Sequence, residues 1–560
     1  MKEEKAMNEN KIIQLNTKQE YLLGTIQALL KNTTQKEFIV SAPTGTGKTI
    51  LGMQLIDDLD GEAYYLTPQN ALISQIQADD AFNHDNIIEF KGKNNYRCTL
   101  LERKLTAPEF NGIFGKKSVN IKYKEINHSY SLEIISVNEA PCSYDGIDEK
   151  YLECSSLKKT LEEQNPAECH YTNAFWNATN AKVFLTNIDC FIANRNFIRQ
   201  KRTIAIIDEC QNLDKVLEKY AEFSLTPKKE IESELNLSQK IDLASEEAGK
   251  LRHELLFLEE EIKNISRKDF QELKQLKRKK NRLEKEIEKL DLFLQQPENY
   301  FVVFEKNKNI LVFTPKNLKF LFNFIRSKCD AIVFMSATPS QNKSYWDRLG
   351  IEFLPENVLC VESSFKKENR KLVSIPIMKV NYSNMAEAYE EMMPKFRELL
   401  MSVHGKEKGV IHAVSGASVK LISSLFEKYK IKRNFFQYNG GNPEEKTKIL
   451  NEWKNSGNGV LICVGMHEGF DWKDDLCRFQ IFPKMPFTSL NEIAKLKTEE
   501  FSGWYPEQAI TSLVQACGRG IRNENDFCTN YIFDSNFLFL VKHFQYLFPS
   551  WFLTAVVFEK

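Results

Sequence analysis

Lys48 and Thr49 close the string Ala42-Pro43-Thr44-Gly45-Thr46-Gly47-Lys48-Thr49, in which two glycines let backbone N–H groups curl around a phosphate at the start of a helix. In such a loop the lysine reaches the β- and γ-phosphates of ATP, and the Thr49 hydroxyl holds Mg2+. Asp208-Glu209 is a second reactive pair: Asp208 suits a Mg2+ held through water and Glu209 suits polarising an attacking water, since phosphoryl transfer depends on position and charge. A third string is Gln515-Ala516-Cys517-Gly518-Arg519-Gly520-Ile521-Arg522, whose guanidiniums could stabilise charge on a transferring phosphoryl group. Gln19 joins the loop residues in the expected nucleotide-binding set. Together these residues predict an ATP site divided between two domains.

The surrounding patterns say how such residues would be held. Phe38-Ile39-Val40 reads as a buried parallel strand leading into the loop, and Ile50, Leu51, Met53, Leu55 and Ile56 give the following helix an apolar face. Ile204-Ala205-Ile206-Ile207 reads as a strand that delivers Asp208-Glu209 at its C-terminal end, where ligands sit in open α/β sheets. The arginine string reads as the start of a helix, with Arg519 and Arg522 on one face. Gly409 to Ala413, Val460 to Val464 and Tyr531 to Asp534 read as further parallel core strands, and Trp504 and Leu547 to Phe552 as packing elements.

Between Phe223 and Val303, leucines and isoleucines recur at four-three spacing in two runs, Leu251 to Ile265 and Leu273 to Leu294. This predicts an antiparallel helical hairpin turning near Asn264-Ile265-Ser266 and closed by Pro297. Lys277-Arg278-Lys279-Lys280 reads as a solvated helix face in preference to a phosphate contact.

A chain of 560 residues predicts roughly three to five domains. Lys+Arg and Asp+Glu both number 76, so a nucleic-acid surface would have to be a local basic stripe. No apolar run reaches membrane length and the first residues are charged, so a cytoplasmic protein without a membrane partner is expected. Twelve cysteines in such a protein are expected to be reduced, buried or metal-bound. Core packing accounts for Cys190, Cys210, Cys329, Cys360, Cys463, Cys477, Cys517 and Cys528. Cys98, Cys142, Cys154 and Cys169 differ, lying in a polar stretch between the loop and the acidic pair. Four thiolates complete an iron-sulfur or a zinc site, and their intervals match neither a compact zinc knuckle nor a ferredoxin run.

Several strings in this order resemble a known family. Asp208-Glu209-Cys210-Gln211 looks like a DEAH box, Met335-Ser336-Ala337-Thr338-Pro339 like the SAT motif, Gly465 to Asp471 like motif V, and Gln515 to Arg522 like QxxGRxxR. Lys91 to Cys98 is similar to the family's approach to an iron-sulfur domain, and Ser363-Ser364-Phe365 to its crossover between motor domains. The phosphate loop, with Ala42 where the strict pattern has Gly, is the helicase variant. The resemblance is to superfamily 2 helicases of the XPD/DinG type, and it runs along nearly the whole chain.

That resemblance implies an α/β fold with two RecA-like parallel-sheet motor domains, the first carrying an iron-sulfur insertion and a helical Arch-like insertion. The implied division is 1–91, 176–222 and 304–370 for the first motor domain, 92–175 for the iron-sulfur insertion, 223–303 for the Arch-like insertion and 371–560 for the second motor domain. It further implies ATP, Mg2+ and a [4Fe-4S] cluster on Cys98, Cys142, Cys154 and Cys169 as cofactors, and a monomer that binds single-stranded DNA and duplex junctions. The implied activity is ATP-dependent unwinding with movement 5′ to 3′, in DNA repair or a related process. The alternatives are an ATP-gated single-stranded DNA clamp and an RNA-directed DEAH motor. One departure stands out: Gln211 replaces the DEAH histidine, and an amide donates and accepts hydrogen bonds but does not titrate near neutral pH. No exonuclease-like acidic cluster precedes Ala42, so a fused nuclease is not expected.

Overall fold

The computed structural model describes residues 17–32, 36–43, 45–68, 70–79, 82, 85–97, 105–106, 123–126, 129–132, 169–227, 235–265, 270–354, 358–441, 443–465, 472, 474–521 and 526–559. Two seven-stranded sheets organise the chain. The first contains Glu37–Ser41 (β1), Ala63–Thr67 (β2), Ile87–Phe90 (β3), Val183–Asn187 (β4), Arg202–Asp208 (β5), Cys329–Ser336 (β6) and Val358–Cys360 (β7), in the spatial order β7-β1-β6-β5-β2-β4-β3. All its pairings are parallel. Parallel strands are covered by helices on both faces, which explains the continuous apolar runs read at 38–40 and 204–207.

The second sheet contains Leu372–Met378 (β8), Gly409–Ala413 (β9), Phe435–Tyr438 (β10), Val460–Val464 (β11), Phe479–Phe482 (β12), Thr529–Asp534 (β13) and Val556–Phe558 (β14). Its order is β10-β11-β9-β12-β13-β8-β14, again all parallel. Leu547, Phe548, Trp551 and Phe552 are buried in its core. Each of these sheets has apolar clusters on it, so each has its own core.

The helical hairpin is present as Leu237–Asn264 and Phe270–Gln295, with the first helix opened by a capping box between Asn236 and Gln239. It packs on a three-stranded antiparallel sheet of Phe223–Leu225, Tyr300–Glu305 and Ile310–Pro315 through Ala244, Ala248, Leu290, Phe293 and Phe313. Lys279 and Lys280 pair with Glu254 at 2.7 Å and Glu259 at 2.6 Å on the opposite helix, so much of that basic run is spent within the hairpin.

Seven of the cysteines assigned to packing are buried; Cys360 is not. It ends β7, the edge strand that pairs only with β1, and an edge leaves part of its side-chain surface in solvent. Among the described residues, no helix is long and apolar enough to cross a membrane.

Candidate functional site

The loop after β1 is shaped by its glycines. Gly45 and Gly47 have φ of +80° and +74°, a region that L side chains rarely adopt. Helix α1 (Lys48–Asp58) follows directly, so Lys48 and Thr49 stand at its N-terminus, where N–H groups and the helix dipole favour an anion. Lys48 Nζ donates to the Ala42 carbonyl at 3.3 Å, which holds the ammonium over the loop. Gln19 Nε2 donates to the Thr46 carbonyl at 2.9 Å, and a Cβ at Gly47 would lie 2.3 Å from that amide. Gln19 therefore braces the loop from behind. Thr44 lies outside the described residues.

Phe365 lies against the same loop, with its Cζ 2.2 Å from where a Cβ on Gly45 would be. Val361 and Ser364 join Gln19, Ala42, Thr46 and Lys48 around a cavity of about 10 Å³.

Next to the loop, β5 delivers Asp208, buried beside Lys48. Burial pushes its carboxyl up to about 6, the Glu209 charge pushes the same way, and the Lys48 ammonium opposes both. Tyr65 Oη donates to Asp208 Oδ2 at 3.2 Å, and the Thr49 hydroxyl also faces that phenol. Tyr65 thus sits between the two groups expected to hold Mg2+. The sequence offers no signal for it beyond a tyrosine in an apolar strand. Glu209 has φ +49°, an uncommon conformation for a non-glycine residue and one that turns its carboxylate out of the strand line. The donor set of Thr49, Asp208 and Glu209 beside Lys48 fits a hydrated Mg2+ bound to a nucleotide phosphate.

From Glu209 a line of hydrogen bonds crosses the sheet. Gln211 Nε2 donates to Glu209 Oε2 at 2.9 Å, Ser336 Oγ donates to Gln211 Oε1, and Thr338 N donates to Ser336 Oγ at 2.9 Å. Gln515 Nε2, on a helix packed against the second sheet, reaches Thr338 Oγ1 at 3.4 Å. The amide of Gln211 donates on one side and accepts on the other, a pattern one neutral imidazole tautomer also supplies.

The arginine string is a helix end, contrary to the expected helix start. Helix α2 (Trp504–Cys517) stops there, Gly518–Gly520 forms one tight turn, and Ile521 is extended with φ −137°. The turn packs closely on the approach to β13: a Cβ at Gly520 would lie 2.5 Å from Cys528 Sγ, so only glycine fits there. Arg519 sits on this turn, its carbonyl accepting from Trp472 N at 3.4 Å. Arg522 and motif V residues 466–471 lie outside the described residues.

Of the four cysteines set apart by sequence, Cys98, Cys142 and Cys154 also lie outside the described residues. Cys169 is buried at the N-cap of the helix His170–Asn180, in a core with Phe90, Tyr171 and Phe175. Among the described residues, no three His, Cys, Asp or Glu gather as a metal site.

Two family models match the chain. The helicase C-terminal domain matches residues 396–554, and the type III restriction enzyme res subunit matches residues 12–222. Among solved structures, an XPD helicase is similar over 98% of this chain and 100% of its own, at TM-score 0.55 and 17% identity. Xpd4 of S. tokodaii is similar over 97% of this chain and 100% of its own, at TM-score 0.54 and 12% identity. The two family matches cover a helicase C-terminal segment and a restriction-enzyme res-subunit segment, and the likeness to these two structures, below 25% identity, is one of fold: two parallel-sheet domains with a glycine-rich loop on the first.

Proposed function

We propose that the chain is an ATP-dependent DNA helicase that moves 5′ to 3′ along single-stranded DNA and opens duplexes at junctions. The observation that carries this reading is the hydrogen-bonded line from Glu209 through Gln211, Ser336 and Thr338 to Gln515, which ties the hydrolytic carboxylate to the opposite motor domain. In this reading Lys48 and the loop residues Ala42 to Thr49 bind the nucleotide phosphates, with Gln19 bracing them. Thr49 and Asp208 hold Mg2+, and Glu209 orients the attacking water. Arg519 and Arg522 complete the site from the second domain, so hydrolysis needs the cleft to close and product release lets it reopen. That alternation moves the strand.

The insertion at 92–175 is assigned a [4Fe-4S] cluster on Cys98, Cys142, Cys154 and Cys169. Cys169's place at the point where the insertion rejoins the first motor domain supports this. Such a cluster would cross-link the insertion through thiolates. Cys154→Ser should then lose iron and unwinding together; zinc in stoichiometric amount would refute the assignment.

The deciding experiment is strand displacement by pure protein made without air, on DNA and RNA duplexes carrying either overhang. Displacement of DNA from a 5′ overhang is expected. Displacement of RNA alone would support an RNA-directed motor, and DNA-stimulated ATP hydrolysis without displacement a clamp.

A further inference from the structure

The motor domains also meet beyond the line through Gln515. Ser340 Oγ donates to Glu507 Oε1 at 2.6 Å, and the backbone amides of Gln341 and Asn342 favour the charge on the same carboxylate. Asn342 Nδ2 donates to the Ser502 carbonyl at 2.7 Å. Ser340 is itself fixed, since Trp346 Nε1 donates to its carbonyl at 2.9 Å from a fully buried indole.

Glu507 lies in the first turn of α2, and Gln515 and Arg519 lie at its far end. Helical rise puts Glu507 and Gln515 about 12 Å apart. One end of α2 therefore rests on Ser340 and the other on Thr338, two positions just past the end of β6. α2 packs in the core of the second sheet through Ala509, Ile510, Leu513 and Val514, so two anchors along it fix how that whole domain sits on the end of β6. The bond at Glu507 is the shorter, at 2.6 Å against 3.4 Å.

We propose that Glu507 is a positioning residue of the hydrolysis cycle: by pinning α2 to Ser340 it sets how the turn bearing Arg519 approaches the nucleotide loop. The proposal rests on the motor reading above. It also explains a carboxylate that is only 4% exposed, which is costly to bury without a role.

Burial pushes the Glu507 carboxyl up to about 7, with Asp214 adding to the effect. The charged and titratable groups packed around it are Asp214 and Glu218 on the helix after the acidic pair, Tyr345 and Arg348 beyond the SAT motif, and Lys497 from the second domain. Docking buries the carboxyl, and burial outweighs the Ser340 hydroxyl and backbone donors that favour its charge, so docking takes up a proton: the anchor is fully present below the ordinary glutamate range and is lost as pH rises from there through about 7.

The test is single-stranded DNA-stimulated ATP turnover of wild type, Glu507→Gln, Glu507→Ala and Ser340→Ala across neutral pH. Wild-type stimulation should decline as pH rises through about 7. Glu507→Gln, neutral throughout, should stay at the low-pH level without the inflexion. Glu507→Ala should fall roughly tenfold in stimulated kcat with KM for ATP within about twofold, a loss felt in the closed state. Ser340→Ala should shift the inflexion. A Glu507→Ala variant with wild-type turnover, or a Glu507→Gln variant that keeps the inflexion, overturns the proposal. If the wild type hydrolyses no ATP, the motor reading fails separately. Fluorescence transfer between dyes on the two motor domains then tests the anchor: Glu507→Ala should lengthen the distance and Glu507→Gln should not, and equal distances in all three overturn it.

Discussion

The Ser336 hydroxyl donates to the side-chain carbonyl of Gln211, joining the C-terminal ends of β5 and β6 beside the phosphate loop. Through this bond the Gln211 amide accepts on one side while it donates on the other. Gln211 holds Glu209 with its nitrogen and Ser336 with its oxygen.

Gln211→Leu should uncouple the two motor domains. It leaves the buried Ser336 hydroxyl and one Glu209 oxygen without their partner, a cost of about 1–3 kcal/mol each. Unwinding should fall by at least tenfold while unstimulated hydrolysis falls less. Gln211→His should restore unwinding, and its pH profile should gain an inflexion near the ordinary histidine range. Parallel ATPase and strand-displacement assays check both.

Lys48→Ala removes the cation that Ala42 O holds over the loop. Hydrolysis and unwinding should drop by at least a hundredfold, with single-stranded DNA binding retained, as read by turnover and fluorescence anisotropy. Normal turnover would refute the site.

Arg519→Ala and Arg522→Ala should each lower kcat by up to on the order of a thousandfold with little change in nucleotide affinity, because a guanidinium on the opposite domain acts in the closed transition state. Isothermal titration with a non-hydrolysable nucleotide separates the two effects. A pure affinity loss would place these arginines elsewhere.

Arg202→Met tests the floor beneath the insertion. The guanidinium, with no exposed side-chain surface, donates to the carbonyls of Ala63, Ala178, Thr179, Ala181 and Lys182, and so caps the end of the helix that follows Cys169. Removing it leaves those carbonyls unsatisfied and should cost about 3 kcal/mol or more. Thermal unfolding of the first motor domain, read by calorimetry, should shift down.

Much of this protein is legible along the chain. Strand, glycine loop and helix at 38–56, and strand and acids at 204–209, are set by short-range rules: apolar runs that need burial on both faces, glycines that take φ above zero, and a lysine at a helix start. The hairpin at 237–295 follows from its four-three leucine spacing in the same way. What local pattern could not give depended on neighbours far away in the chain. Cys528 packs against Gly520 where the expected helix start is a helix end, Tyr65 meets Asp208 across the sheet, and Ser340 finds Glu507 across the domain boundary. None of these residues carries a periodicity or a motif that announces its partner. Their roles come from which strand lies beside which and which helix rests on which strand end, and only the folded chain decides that.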